Sequence, residues 1–203
     1  MSKTAYHHGD LASALLEAAE AELSSRGIEG FSLRAVAKRV GVSHGAPAHH
    51  FGDARGLLTA LAARGYERLL ARQQAHEDAA SSQPRERLVA SGLAYVEFAM
   101  DHPELFRLMF NSSIPDRSDA RFFDVALSVF DRLVRNTESF TGSNPYEDRE
   151  SMLDLMASWS LVHGLAELII SGRAERPLNL SDLEPEERRR TLSSILARVN
   201  VPK

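Results

Sequence analysis

The chain of 203 residues is predicted to be all-helical. Three observations predict it. Strand signals are missing, with no alternating β-branched run and no Asn-Gly hairpin. Apolar residues recur at three- and four-residue spacing along most of the chain, the period of a helix with one buried face. Near the amino end a serine, an apolar pair, a glycine and a second serine fall in the register of two short helices joined by a turn.

Composition is compatible with this. Hydrophobic residues make up 43% and charged residues 26%, an ordinary globular balance in a chain long enough for a real core. Cysteine is absent, which excludes disulfides and thiol chemistry. The first ten residues hold no apolar run and do not read as a signal peptide. The most apolar stretch, Met152–Ile170, is broken by Asp154, His163 and Glu167. It is expected to be a buried helix, with no membrane as partner.

Residues 1–9 read as a flexible arm carrying Lys3, Tyr6, His7 and His8. Asp10 is placed to cap a first helix reaching about Arg26, with Leu11, Leu15, Ala18, Ala19 and Leu23 on one face. Glu22 falls on that same apolar face. Ser32 suits the cap of the next helix, because its hydroxyl can take up a free N–H of the first turn. Phe31 and Val36 stand at hydrophobic-staple spacing. Gly41 sits where this helix must stop, in the left-handed conformation that glycine adopts without steric cost. Ser43 is expected to cap the following helix. Pro47 then falls at its fourth position, where a backbone donor is normally needed. That predicts a short or irregular helix.

Helix, glycine-containing turn, helix is the helix-turn-helix arrangement, whose second helix enters a DNA major groove. Charge agrees. Between Gly30 and Gly52 there is no Asp or Glu, although the whole chain carries a net charge of −4. Arg34, Lys38 and Arg39 lie in that window and suit a phosphate-facing surface. The second helix offers no Arg or Lys, so bidentate guanine readout is excluded for it. Ser43, His44 and His49 are its candidates for reaching bases, and His50 reads as scaffold. The spacing of His44, His49 and His50 is wrong for one face of a helix, and no metal site is expected.

Gly52-Asp53 then caps a long helix from about Ala54 to Asp78, whose first N–H groups are placed to meet a phosphate. Helices follow from Pro84 or Arg85 to about Asp101, from Pro103 to Phe110, over about 118–140 and over about 146–171. Arg176-Pro177 begins a linker. Pro185, followed by Glu186 and Glu187, opens a last helix with the stripe Leu192, Ile195, Leu196 and Val199. The 146–171 helix is apolar on nearly all sides and needs cover on more than one face. The last two long helices are expected to pair with their copies in a second chain as a four-helix bundle, with burial inside one chain as the alternative.

These motifs resemble the TetR family of transcriptional regulators. The likeness runs from Leu11 to about Leu61, through the Gly27 turn, Phe31-Ser-Leu-Arg-Ala-Val-Ala37, Gly41-Val-Ser43, and His50-Phe51 followed by Leu57-Leu58. The remainder is similar to the subgroup with Trp-x-x-x-His-Gly, here Trp159-Ser-Leu-Val-His163-Gly164. The run Tyr95–Phe110 fits it too. The resemblance implies a homodimer, usually a repressor, that binds a palindromic operator and is released by a small ligand. Two positions depart from the family. Ala48 stands where a tyrosine is common, and Ala54 where a lysine is common. Both family residues contact phosphate, and Arg55 is the nearest substitute for the lysine.

The expectations are therefore a flexible arm over 1–9, a helix-turn-helix domain over 10–53, and a helical regulatory and dimerisation domain over 54–203. Arg34, Lys38, Arg39, Ser43, His44, His49 and Arg55 would bind double-stranded DNA. Phe98, Phe106, Met109, Phe110, Phe130, Trp159 and His163 would line a pocket for an apolar small molecule. No cofactor is implied, and a cytoplasmic location follows. A second reading, prompted by Ala48 and Ala54, is a ligand-binding helical dimer that has lost operator binding. An enzyme built on His163 and Glu167 finds no nucleophile or cofactor motif beside them.

Overall fold

In the computed structural model, residues 8–198 are described, with side chains from Leu11 onward. The expected arm residues Lys3, Tyr6 and His7, and Val199 of the last stripe, lie outside the described residues. Among the described residues there are helices and no strands. They are α1 (His8–Arg26), α2 (Leu33–Val40), α3 (Ala46–Phe51), α4 (Ala54–Ala79), α5 (Pro84–Asp101), α6 (Pro103–Phe110), α7 (Ala120–Thr141), α8 (Arg149–Ile170), α9 (Glu175–Leu178) and α10 (Pro185–Leu196).

The chain forms two compact units. The first runs to Tyr66 and also takes in His102–Val125; the second comprises Glu67–Asp101 and the chain from Ala126 onward. Helices α4 and α7 each contribute to both.

In the first unit, Leu15, Ala19 and Leu23 of α1, Val36 and Ala37 of α2, and Leu57 and Leu61 of α4 have no exposed surface. Burying each of the leucine and valine side chains contributes roughly 1.5–3 kcal/mol. Leu105, Phe106, Leu108 and Met109 of α6 are equally buried. Gly65 shows how closely α4 and α6 approach: a Cβ there would lie 2.5 Å from the Met109 sulfur and 3.2 Å from Leu105. Tyr66 closes this core from the side, donating its hydroxyl to the Met109 carbonyl at 3.0 Å.

In the second unit, Leu93 and Val96 of α5, Leu165 of α8, and Leu192 and Leu196 of α10 form one apolar cluster. The stripe of α10 expected to face a second chain is thus covered within the chain. A hydrophobic pattern marks which face is buried, and leaves its partner undefined. Helix α8 behaves oppositely. It is long and apolar enough to cross a membrane, yet only 22% of its apolar window is buried. Leu153, Met156 and Leu168 are exposed at 51%, 43% and 48%. The expectation of a helix buried on several sides therefore fails for one chain.

Several boundaries differ from expectation for identifiable reasons. Helix α1 already includes Asp10, so that residue is not its cap. Asp119 starts α7 by accepting the N–H of Phe122 at 2.9 Å. Asp148 caps α8, accepting from the N–H groups of Glu150 and Ser151. Tyr146 stays outside the helix because Asn144 Oδ1 takes its N–H at 2.9 Å in a separate turn. The expected linker at Arg176-Pro177 contains the single turn α9.

Candidate nucleic-acid interface

The local chemistry of α2 builds the first half of the surface. Ser32 is extended (φ −138°) and its hydroxyl accepts the N–H of Ala35. Gly41 takes φ 78°, and its N–H bonds to the carbonyls of Ala37 and Lys38. The Val42 N–H also bonds to Ala37, at 3.0 Å, so the freed carbonyls at the helix end are satisfied. With both ends fixed and Val36 and Ala37 buried, Arg34, Lys38 and Arg39 are left exposed. Arg34 and Lys38 are four residues apart and share a face. Among the described residues, neither makes an ion pair.

Arg39 differs. Its Nη2 lies 3.5 Å from Oε2 of Glu22, a side chain only 8% exposed, while Arg39 itself is 48% exposed. The acid-free window therefore borrows a carboxylate from α1. This pair explains Glu22 on an otherwise apolar face.

The turn is longer than expected and corrects the reading of Ser43. The chain runs through Gly41–Gly45 before α3 starts at Ala46, and Gly45 occupies the cap position without a side-chain bond. Pro47 is then in the first turn, where its missing N–H costs nothing. Ser43 serves by its carbonyl instead, which accepts the Ala46 N–H at 3.0 Å. Ser43 and His44 thus belong to the turn, and His49 to α3. All three are exposed, as is Ala48. His50 is half-buried, its ring edge-on to His49 at 5.8 Å.

The start of α4 is capped as expected: Asp53 Oδ1 accepts the Gly56 N–H at 2.8 Å. A carboxylate thus already occupies part of the helix end proposed for a phosphate. Arg55, the substitute for the missing lysine, is turned toward the α6–α7 loop. Its Nε donates to the Ile114 carbonyl at 2.9 Å, and its Nη2 lies 3.7 Å from Asp116 Oδ1. Two hydrogen bonds from Ser118 hold the Asp116 carboxyl below its ordinary pKa. Nothing local in the sequence signals this contact.

The seven side chains expected around a ligand are divided between the units. Phe106, Met109 and Phe110 belong to the first. Phe106 and Met109 are fully buried, and Phe110 packs on Phe106 and Tyr66 at centroid separations of 4.8 and 5.2 Å. Phe98, Phe130, Trp159 and His163 belong to the second. There Trp159 meets Phe130 edge-on at 5.7 Å. His163 Nδ1 shares a hydrogen bond of 2.9 Å with the hydroxyl of Tyr95, a partner sequence reasoning missed. A cleft of about 180 Å³ in the second unit is lined by none of these residues. Of its lining residues, Glu97 receives Arg189 at 3.0 Å and Arg72 at 3.5 Å, and Glu97 also meets His76 at 3.3 Å.

Comparison with known proteins agrees with the geometry. Residues 15–61 match the family model described as bacterial regulatory proteins, tetR family. Residues 88–187 match one described as tetracyclin repressor-like, C-terminal domain. The HTH-type transcriptional regulator BetI of Burkholderia thailandensis is 38% identical over 76 residues, 37% of this chain and 39% of that relative. The chain thus spans about two-fifths of the length of that curated relative. A solved protein of unknown function from Rhodococcus sp. RHA1 is 30% identical, with a TM-score of 0.75 over 97% of this chain and 98% of that one. The TetR family regulator PfmR from Thermus thermophilus is 18% identical, with a TM-score of 0.66 over 93% and 99%. That last likeness shows the fold alone. With a matching head, a matching carboxy-terminal region and a capped helix-turn-helix, the chain belongs to the TetR family of DNA-binding transcriptional regulators.

Proposed function

We propose that the protein is a homodimeric repressor in the cytoplasm that binds a palindromic operator and is released by a small, largely apolar effector. The observation that carries this is the exposed face of α2, where Arg34 and Lys38 have no acidic partner among the described residues beside an exposed turn and α3. Arg34, Lys38 and Arg39 would set the register on phosphates, while Ser43, His44 and His49 reach base edges. In a dimer, the two α3 helices would stand about 34–36 Å apart, one turn of duplex.

The uncovered face of α8 supports the dimer. Leu153, Ala157, Ser160, Gly164 and Leu168 recur along one side, and a Cβ added to Gly164 would meet nothing within 4 Å. A second copy laid there would bury this stripe in a four-helix bundle with α10 at its margin. We further assign the chain to the subgroup marked by Trp159, His163 and Gly164, within the region matched by the carboxy-terminal family model. Phe98, Phe130, Trp159 and His163, all in the second unit, remain the proposed effector contacts. Binding would favour a spacing of heads that no longer fits the operator, which requires different affinity for the two states.

Selection of duplexes from a random pool by the purified protein tests the reading. A palindromic consensus with half-sites one helical turn apart supports it. Recovery of no sequence at low salt would favour the second reading, a ligand-binding dimer without an operator. That reading draws on exposed Ala48 and on the engagement of Arg55 elsewhere.

A further inference from the structure

Arg55 stands at the second position of α4, four residues beyond the end of the α3 helix, and its side chain is 58% exposed. A cation in the first turn of a helix that directly follows the groove-reading element is well placed for a phosphate. In this structure it is engaged elsewhere. The Ile114 carbonyl accepts its Nε–H at 2.9 Å, and the Asp116 carboxylate is 3.7 Å from Nη2.

The loop that holds it is itself well ordered by bonds. The Asp116 N–H donates to Thr59 Oγ1 at 2.9 Å, and that hydroxyl donates to the Arg55 carbonyl at 2.8 Å. Asp116 Oδ1 accepts the Ser118 N–H at 3.0 Å and its hydroxyl at 2.7 Å. Asp116 is thus oriented independently of Arg55. The pair is also exposed, at 58% and 45%, and an ion pair so exposed is weak enough for another anion to compete.

We propose that Arg55 and the α6–α7 loop form an autoinhibitory latch, in which Ile114 and Asp116 hold away from DNA a guanidinium that joins the phosphate contacts once released. This rests on the DNA-binding role of the head and adds a control on its strength. Helix α7 begins at Ala120, immediately beyond the latch. The Asp119 N–H donates to the Asp116 carbonyl at 3.1 Å, which ties the latch to the start of α7.

The test is fluorescence anisotropy of wild type, Asp116→Asn, Arg55→Gln and the double variant on one duplex selected by the protein, over a salt series. Asparagine keeps the oxygen that Ser118 donates to, and thermal melts establish that each variant is folded. The latch predicts that Asp116→Asn tightens binding about three- to tenfold at low salt. It also predicts a slope of log affinity against log salt that is steeper by about one unit. In the Arg55→Gln background Asp116→Asn adds nothing, so the double variant matches Arg55→Gln alone in slope and affinity. A gain that persists in the double variant would show only the loss of a repulsive charge and would overturn the latch. If wild type binds and Asp116→Asn changes nothing, the latch alone fails. If wild type binds no duplex, the regulatory reading fails and the latch with it.

Discussion

Arg39 on α2 and Glu22 on α1 are joined across the head, Nη2 to Oε2 at 3.5 Å, with the carboxylate side chain 8% exposed and the guanidinium 48% exposed. Arg39 therefore has a structural task that Lys38, one residue earlier, does not share. Removing it leaves a buried carboxylate without its cation, which costs about 1–3 kcal/mol. Arg39→Ala is expected to lower the Tm of the head as well as weaken DNA binding. Lys38→Ala is expected to weaken DNA binding at unchanged Tm. Thermal melts of the two variants check this, and equal melting temperatures would show that Glu22 does not depend on Arg39.

Tyr66 gives a second test, at high pH. Burial pushes its hydroxyl up to about 12, against a smaller opposing influence of Arg117. A raised acid keeps its full stabilisation below the ordinary value of about 10 and loses it as the pH climbs toward 12. Tyr66→Phe leaves the Met109 carbonyl without its donor and is expected to cost about 1–2 kcal/mol at neutral pH. The same variant should lose less stability than wild type between about pH 10 and 12. Parallel Tm–pH curves for the two proteins would contradict this.

His76 acts on the acid side. Burial lowers its pKa; Glu97 at 3.3 Å opposes that, while Arg189 and Arg72 reinforce it. A depressed base is stabilising in its neutral form above about pH 6.5, and that contribution is lost as the pH falls through the folded-state value. His76→Gln should therefore flatten the fall in Tm between about pH 7 and 5. An unchanged acid limb would mean that His76 protonates freely in the folded protein.

The proposed α8 interface is tested by filling its open glycine. Leucine at Gly164 meets no neighbour within its own chain at Cβ, and favours the helix over glycine by several tenths of a kcal/mol. Gly164→Leu should leave or raise the stability of the separate chain and weaken self-association at least about tenfold, a change of about 1.4 kcal/mol. Sedimentation equilibrium reads this directly. An unchanged dimerisation constant would move the interface off this face.

Much of the head is legible in the sequence because its signals are local. Ser32 is three residues from the N–H it caps, and Gly41 closes the same short helix. The start of α3 is less legible, since Ser43 and Gly45 both suit a cap. Pro47 decides between them: counted from Gly45 it is harmless, and counted from Ser43 it breaks the ladder. Long-range pairings are not legible at all. Arg55 and Ile114 are 59 positions apart, and Tyr95 and His163 are 68 apart. The α10 stripe predicts burial correctly, but no periodicity says that α5 provides it. The single turn α9 is too short to show a helical period.

If the exposed face of α2 grips duplex backbone, the salt dependence of Lys38→Ala records it. Log affinity should fall linearly with log salt for wild type, and Lys38→Ala should lower the slope by about one unit, equally on selected and unrelated duplexes. An identical slope for the two proteins would remove Lys38 from the backbone contacts, and an absence of duplex binding at low ionic strength would exclude the grip altogether.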